Sequence, residues 1–369
     1  MLVKKNIIIM HPTDKGACAF YRCHFMADIL RSQLGGEVEP LVTPAEITDE
    51  YILAHTAAIV VYRPINDYHQ TLIRNYGKKK KKFKYRIFVD FDDLIFSVNG
   101  KSLIAEYNCC SIDTKQVSFV IRESLKYLDG VTVSTRVLAS IFGAEFKTIY
   151  PFVHVLPNAI PRYLFGQKKR KPLKNDIVKP VVLYAGSMTH FSKDCAGDFD
   201  GPWIPWLEKA ISQDSIEFHC FGDIPSINQG SLLNKVVTHE YVSAIEFPSV
   251  LSSIGADIYI APLKANNFNQ AKSNLKFIEA CAIGAAFIGS DFTFSPYGEA
   301  CPICRVSPVD DELDIDRIVR KVCEKDVFNG IIDIQYKILE QKNYWMDSDG
   351  YIDKWLKTYF GELITKEGE

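Results

Sequence analysis

The sequence predicts an α/β protein made of two doubly wound parallel-sheet domains that are joined by a linker and face a cleft. Three observations carry that expectation. Strand-like apolar runs alternate with segments of helical spacing up to about residue 160, the pattern of parallel βαβ units. A lysine-rich stretch with three prolines, Pro161 to Pro180, then interrupts the alternation and has the composition of a linker. The alternation restarts at Val181 and closes on a largely helical stretch from Asp316 to Ile364.

Each element follows from its local pattern. In the first half, Lys5 to Met10, Ala57 to Tyr62 (AAIVVY) and Arg86 to Phe91 (RIFVDF) are buried strands, and Phe20 to Gln33 is a helix. Val117, Val120, Ile121, Leu125 and Leu128 share one side of a helix over 116–128. The strand VTVS and a helix over 135–141 follow. In the second half the strands are VVLYAG, IEFHCFG, DIYIAPL and AAFIGS, with helices near 206–212, 247–254 and 274–282 between them. The resulting units are residues 1–165, a linker 166–180, a second domain 181–345, and a final helix over 346–369 that packs back on the first. A chain of 369 residues is long enough for each domain to bury its own core. Two open parallel sheets create a crevice at the carboxyl ends of their strands, where ligands bind in such folds.

Composition narrows the class. With 47% hydrophobic and 24% charged residues the chain is an ordinary globular one, and a net charge of −2 gives no overall field that selects a partner. Two basic clusters, Lys78–Lys82 and the group Lys168, Lys169, Arg170, Lys171 and Lys174, read as solvated loops that have the capacity to attract phosphates. The ten cysteines are scattered; the pairs Cys109/Cys110 and Cys301/Cys304 complete no four-ligand zinc site, so no metal is expected. Leu2 to Met10 is apolar but short and reads as a strand, and no apolar run reaches the roughly 20 residues of a membrane helix. A reduced, cytoplasmic protein is the simplest expectation. Neither G-x-G-x-x-G nor G-x-x-x-x-G-K-[ST] is present, which disfavours a dehydrogenase or a P-loop kinase.

The most informative segment is Asp257 to Ser290, DIYIAPLKANNFNQAKSNLKFIEACAIGAAFIGS. A buried strand ends at Pro262, a polar loop follows, and a helix begins near Ser273 or Asn274. Lys272 or Ser273 at the helix start places an anion against free backbone N–H groups. Lys272 and Lys276, four residues apart, share one helix face from which both reach a diphosphate.

This segment resembles the donor-binding stretch of family-4-like glycosyltransferases of the GT-B fold, in the form PL…FN-x-x-K-S-x-L-K-x-x-E carried by Pro262, Leu263, Phe268, Asn269, Lys272, Ser273, Leu275, Lys276 and Glu279. The resemblance implies two Rossmann-like domains and a retaining transfer of sugar from a nucleotide donor, UDP-linked, with no further cofactor. It assigns Glu279 to the donor ribose. The first of the family's two glutamates falls at Ala271 and is missing, so Asn269 or Gln270 is expected to take over its sugar contacts. Leu183 to Asp194 (LYAGSMTHFSKD) resembles the family's first donor-domain strand and loop, with Gly186 and Ser187 allowing close approach and Lys193 as a second cation on the diphosphate. FHCFGD, containing Phe221, and HEYV, containing Tyr241, resemble the base-side segments, and VLPNAI (155–160) the hinge. Asn274 completes the donor set at the helix start.

In the first half, GACAFYRCHFMADIL (16–30) resembles the family's first loop and helix; Gly16 and Ala17 approach the donor phosphates and Arg22 pairs with a phosphate. VDFDDLIF (89–96) carries Asp90, Asp92 and Asp93 at a strand end, where a carboxylate is placed to orient or deprotonate an acceptor hydroxyl. A D-x-D also suits a divalent cation, but the lysines and helix start supply the charge that such a cation otherwise brings. Arg63, Asp90, Lys80 and Lys82 complete the expected acceptor side. Charge building on the leaving diphosphate is met by Lys193, Lys272, Lys276 and the helix start. Three partners remain open at this point: duplex DNA carrying hydroxymethylated pyrimidines, as for phage-encoded members, favoured by the basic runs with Phe83 and Tyr85; a bacterial surface glycan or lipid-linked sugar; and a sugar nucleotide bound without turnover.

Overall fold

A computed structural model describes residues 5–13, 16–104, 112–147, 152–166, 170–186, 197–199, 201–222, 232–307 and 309–361. Two six-stranded sheets organise them, and every ladder is parallel. The first contains β1 (Ile7–His11), β2 (Glu39–Val42), β3 (Thr56–Tyr62), β4 (Arg86–Phe91), β5 (Gly130–Val133) and β6 (Val153–Val155), in the order β2-β1-β3-β4-β5-β6. The second contains β7 (Val181–Ala185), β8 (Glu217–Phe221), β9 (Val236–His239), β10 (Ile258–Ala261), β11 (Ala286–Ser290) and β12 (Arg305–Val306), in the order β12-β11-β10-β7-β8-β9. Central strands such as β3, β10 and β11 are buried along their whole length, which is why they read as unbroken apolar runs. The order reverses between β1 and β3 in one sheet and between β7 and β10 in the other, and each reversal opens a crevice at the carboxyl ends of those strands.

Several short elements were not expected from the sequence, β2, β6, β9 and β12 among them. The edge strand β2 contains Pro40, a residue a sheet tolerates at its margin because the missing N–H faces no neighbour. More consequential, Lys78–Lys82 are not a solvated loop. They form the last turns of the Asp67–Phe83 helix, capped at its start by the Asn66 side chain and ended by Lys84 in the left-handed region at φ 58°. Cations suit the carboxyl end of a helix, and the run is further neutralised by Lys79–Glu46 (2.8 Å), Lys80–Asp129 (2.7 Å) and Lys82–Glu50 pairs. Because β4 begins at Arg86, directly after this helix, Lys80 and Lys82 sit at the amino ends of the strands, on the side away from the crevice. In the second basic cluster, Arg170 is structural: it pairs with Asp257 (2.6 Å), donates to the Ala256 carbonyl (2.7 Å) and stacks on Phe328.

The chain crosses between the sheets twice, side by side. Ile160 N donates to the Tyr344 carbonyl and Met346 N to the Ile160 carbonyl, both at 2.9 Å. Trp345 is buried at this crossing; its indole N–H donates to Glu340 (2.9 Å), Arg162 lies 4.5 Å over its ring, and a Cβ on Gly166 would come within 2.1 Å of it. The Asp349–Phe360 helix then lies on the first domain, with the Tyr359 ring edge-on to Phe88 at 5.1 Å and its hydroxyl 2.9 Å from that of Thr132. Among the described residues no helix is long and apolar enough to cross a membrane.

Removing the indole should open the crossing. Trp345→Ala is expected to cost about 3–5 kcal/mol, read as a lower urea midpoint; an unchanged midpoint would show that the crossing is held elsewhere.

Candidate anion-binding site in the crevice

The second domain supplies a cation at its point of strand reversal. β7 ends beside β10, and on its other side the backbone leaving β8 comes close: Gly222 has φ +83°, and a Cβ on it would stand 2.7 Å from the Gly186 carbonyl oxygen. Beyond β10 the chain forms the Leu275–Ile283 helix, which ends at Gly284 with φ +72°. The Lys276 ammonium, in its first turn, donates to the Ala185 carbonyl at the end of β7 and lies 5.4 Å over the Tyr184 ring. An ammonium carries three donors, so one carbonyl does not exhaust it. Burial pulls Lys276 down to about 8 from the usual lysine range, against the nearby Glu279 carboxylate, which holds it up.

The helix starts at the later of the two positions the sequence allowed. Asn274 is its N-cap residue, and no side chain caps the first turn. Lys272 and Ser273 therefore precede the helix, so the four-residue spacing does not stack Lys272 above Lys276. Lys272 instead lies 4.8 Å over the Phe268 ring, close enough to Lys276 to lower its proton affinity. The Asn274 amide is turned to the Tyr344 hydroxyl (2.9 Å) and Glu299 (3.4 Å).

One helical turn beyond Lys276, Glu279 is buried and accepts from two tyrosines, Tyr21 (2.8 Å) and Tyr259 (3.2 Å). Burial pushes its carboxyl up, while Lys276 and the two hydroxyls pull it back. Tyr21 belongs to the first domain, to the π-helical turn Phe20–His24 that follows Gly16 and the short Ala17–Ala19 helix. Nothing in the local pattern around Tyr21 or Tyr259 points to this shared carboxylate, because their partner lies 258 and 20 residues away in the chain.

Arg22 is neither a surface residue nor aimed at a ligand phosphate. It is buried in a two-point pair with Asp90, Nε to Oδ2 at 2.8 Å and Nη2 to Oδ1 at 2.5 Å. Its Nη1 donates to the Leu156 carbonyl (2.8 Å) and to Asn158 Oδ1 (3.1 Å), and the Asn158 amide in turn donates to Ser273 Oγ (2.9 Å). Asp90 thus faces the interior and offers nothing to an acceptor. Asp92 is buried too; it accepts from Arg63 Nε (2.6 Å) and the Tyr62 hydroxyl (2.8 Å). Its desolvation is outweighed by Arg63 and these hydrogen bonds, which hold its carboxyl below the usual range. The carboxylate expected to orient or deprotonate an acceptor hydroxyl is thus already engaged by Arg63 and Tyr62. Asp93 Oδ1 accepts from the Leu94 amide (2.9 Å). Arg63 itself sits at φ 45°, a left-handed conformation uncommon for a bulky residue.

The remaining expected donor residues spread over a wider area. Asn269 is buried, its amide donating to Asp198 (2.6 Å) and the Lys264 carbonyl (2.9 Å), whereas Gln270 donates to the Thr293 carbonyl (3.0 Å). Phe221 stacks on His239 at 4.7 Å and 20°. Tyr241 is 85% exposed, in the loop after β9. Ser187 and Lys193 lie outside the described residues. The geometry thus unites Lys276, Glu279 and Tyr21, with Lys272 and Ser273 beside them; Cys18, whose thiol donates to Asp92, also falls within electrostatic reach of Lys276.

The fold is that of several solved glycosyltransferases. A glycosyltransferase from Rickettsia africae ESF-5 superposes with a TM-score of 0.61 at 14% identity, covering 99% of this chain and 100% of that one. Anabaena Alr3699/HepE in complex with UDP-glucose gives 0.57 at 11% identity, over 96% and 99%. WaaG, a glycosyltransferase involved in lipopolysaccharide biosynthesis, gives 0.56 at 10% identity, over 96% and 100%. TarM matches with 0.54 at 12% identity, and this chain spans only 55% of its length. No family model matches the sequence. No curated protein matches it either.

Two outcomes are expected. Asp90→Asn leaves the Arg22 charge buried without its partner and should destabilise the protein by about 3–5 kcal/mol, seen in urea unfolding; a loss within error of zero would contradict the buried pair. Pyrophosphate should bind the protonated Lys276, so its affinity is full below the lysine's value of about 8 and falls as pH rises through it. Lys276→Arg should flatten that profile, and titration calorimetry across pH 7–10 checks both.

Proposed function

We propose that this chain is a glycosyltransferase that takes a sugar from a nucleotide donor, UDP-linked, and transfers it with retention of anomeric configuration. The observation that carries the reading is Lys276, set at the carboxyl end of β7 where the strand order reverses, with Glu279 one turn behind it and tied to the opposite domain through Tyr21. A cation and an uncapped helix start at that point suit a diphosphate. As the bond from sugar to diphosphate lengthens, negative charge grows on the leaving oxygens, and a fixed ammonium stabilises that charge more than it stabilises the bound ground state. Lys272 and, by resemblance, Lys193 add to the same field, so the chemistry calls for no metal and no cofactor beyond the nucleotide sugar. Glu279 keeps acceptor capacity for ribose hydroxyls, since a carboxylate takes about four hydrogen bonds and two come from the tyrosines. Asp92, held ionised by Arg63, contributes a fixed negative charge and orientation on the acceptor side.

For the acceptor we favour a glycan or lipid-linked sugar over duplex DNA. In the basic run that suggested DNA, Lys79, Lys80 and Lys82 are paired with Glu46, Asp129 and Glu50, and the run lies at the amino ends of the strands, away from the crevice. The relatives in fold include an enzyme of lipopolysaccharide biosynthesis.

Lys276→Ala should lower turnover of UDP-glucose, by hydrolysis or transfer, by about a hundredfold or more while circular dichroism stays unchanged. Turnover equal to the parent protein's would remove the assignment. Retention on immobilised duplex DNA that drops steeply with salt would restore the DNA acceptor; its absence is the expected result.

A further inference from the structure

The strand β11 is followed by a loop that ends in Cys301-Pro302-Ile303-Cys304, a C-P-x-C sequence that the crevice chemistry does not use. Pro302–Cys304 form one 3-10 turn, in which Cys304 N donates to the Cys301 carbonyl at 2.8 Å. Such a turn holds the first and fourth Cα atoms within about 7 Å, inside the range a disulfide spans without backbone movement. The two thiols differ in access. Cys301 is partly exposed, whereas Cys304 is fully buried. The Arg305 guanidinium, fastened to the Ala300 carbonyl by Nε (3.0 Å) and Nη2 (2.9 Å), stands next to the pair.

We propose that Cys301 and Cys304 form a dithiol–disulfide exchange site, with Cys301 the attacking sulfur and Cys304 the resolving one. The co-reactant is a low-molecular-weight disulfide such as oxidised glutathione. The Cys301 thiolate attacks one of its sulfurs, forming a mixed disulfide and expelling one thiolate. Cys304 gives up its proton and attacks the Cys301 sulfur, closing the Cys301–Cys304 bond and expelling the second thiolate. The protein loses two protons and two electrons, and the small disulfide takes them up to become two thiols. The electrostatics run the same way: the Cys304 thiol donates to the Cys301 sulfur and holds it down to about 6, while Cys304 is pushed up by that same bond and by burial. By contrast, burial raises Cys18, Cys281 and Cys323 above the usual thiol range. A thiolate at neutral pH on an accessible sulfur, with a second sulfur one turn away, is what exchange requires. The inference stands independently of the sugar-transfer reading.

The test treats the folded, reduced full-length chain with oxidised glutathione, quenches in acid and maps cysteine masses. The expected product is a Cys301–Cys304 disulfide lighter by two hydrogens and free of glutathione. Cys304→Ala should trap one glutathione on Cys301, and iodoacetamide alkylation of Cys301 in the reduced parent should inflect near pH 6. Glutathione retained on Cys301 of the parent protein, or both thiols still free, would overturn the proposal. If Cys304→Ala does not fold, the parent's product alone decides.

Discussion

The buried pair of Arg22 and Asp90 is the constraint on which the crevice depends. A guanidinium and a carboxylate removed from water are stable only when each saturates the other, and here the fork geometry does so at two points. The remaining Arg22 donors fasten the Leu156 carbonyl and Asn158, where the chain leaves the first domain. Asn158 reaches Ser273, directly before the helix that carries Lys276. One ion pair thereby sets the relative position of the first helix, the end of β4, the crossing and the cationic helix. Tyr21, adjacent to Arg22, adds a second tie across the crevice at Glu279.

This arrangement explains how a lysine can be both buried and useful. The Ala185 carbonyl and the Glu279 carboxylate keep Lys276 oriented, and burial lowers its proton affinity without abolishing its charge at neutral pH. A cation that has already lost much of its hydration has less to give up when an anion arrives, and its position is fixed in advance. The unusual backbone of Arg63 fits the same pattern: its strain is compensated by the ion pair with Asp92 and by the hydrogen bond that the Arg63 backbone N–H donates to the Asp90 carbonyl.

Much of the fold was legible because the strands that build it are buried on both faces, and β3, β4, β10 and β11 announce themselves as apolar runs. The edge strand β2 was not, since a four-residue strand with a proline carries little pattern. The Lys78–Lys82 run misled because composition records charge but not partners; Glu46, Glu50 and Asp129 are brought to it only by the tertiary fold. In the site, Lys276 and Glu279 could be read from local spacing along one helix. Tyr21, Tyr259 and Asn158 could not, because each acts on a group far away in the chain. The roles of Arg22 and Asp92 changed for the same reason: a charged residue near a strand end looks available until its counter-charge is known.

The central claim is that Lys276 supplies the charge that receives a nucleotide diphosphate. Its most direct test is the proton balance of UDP binding, measured by calorimetry in buffers of different ionisation heat at pH 8, where the β-phosphate is already ionised. A lysine half-protonated in the free protein near pH 8 should take up about half a proton on binding, and Lys276→Arg should take up none. Binding of UDP with no proton uptake by the unmodified protein would contradict the account.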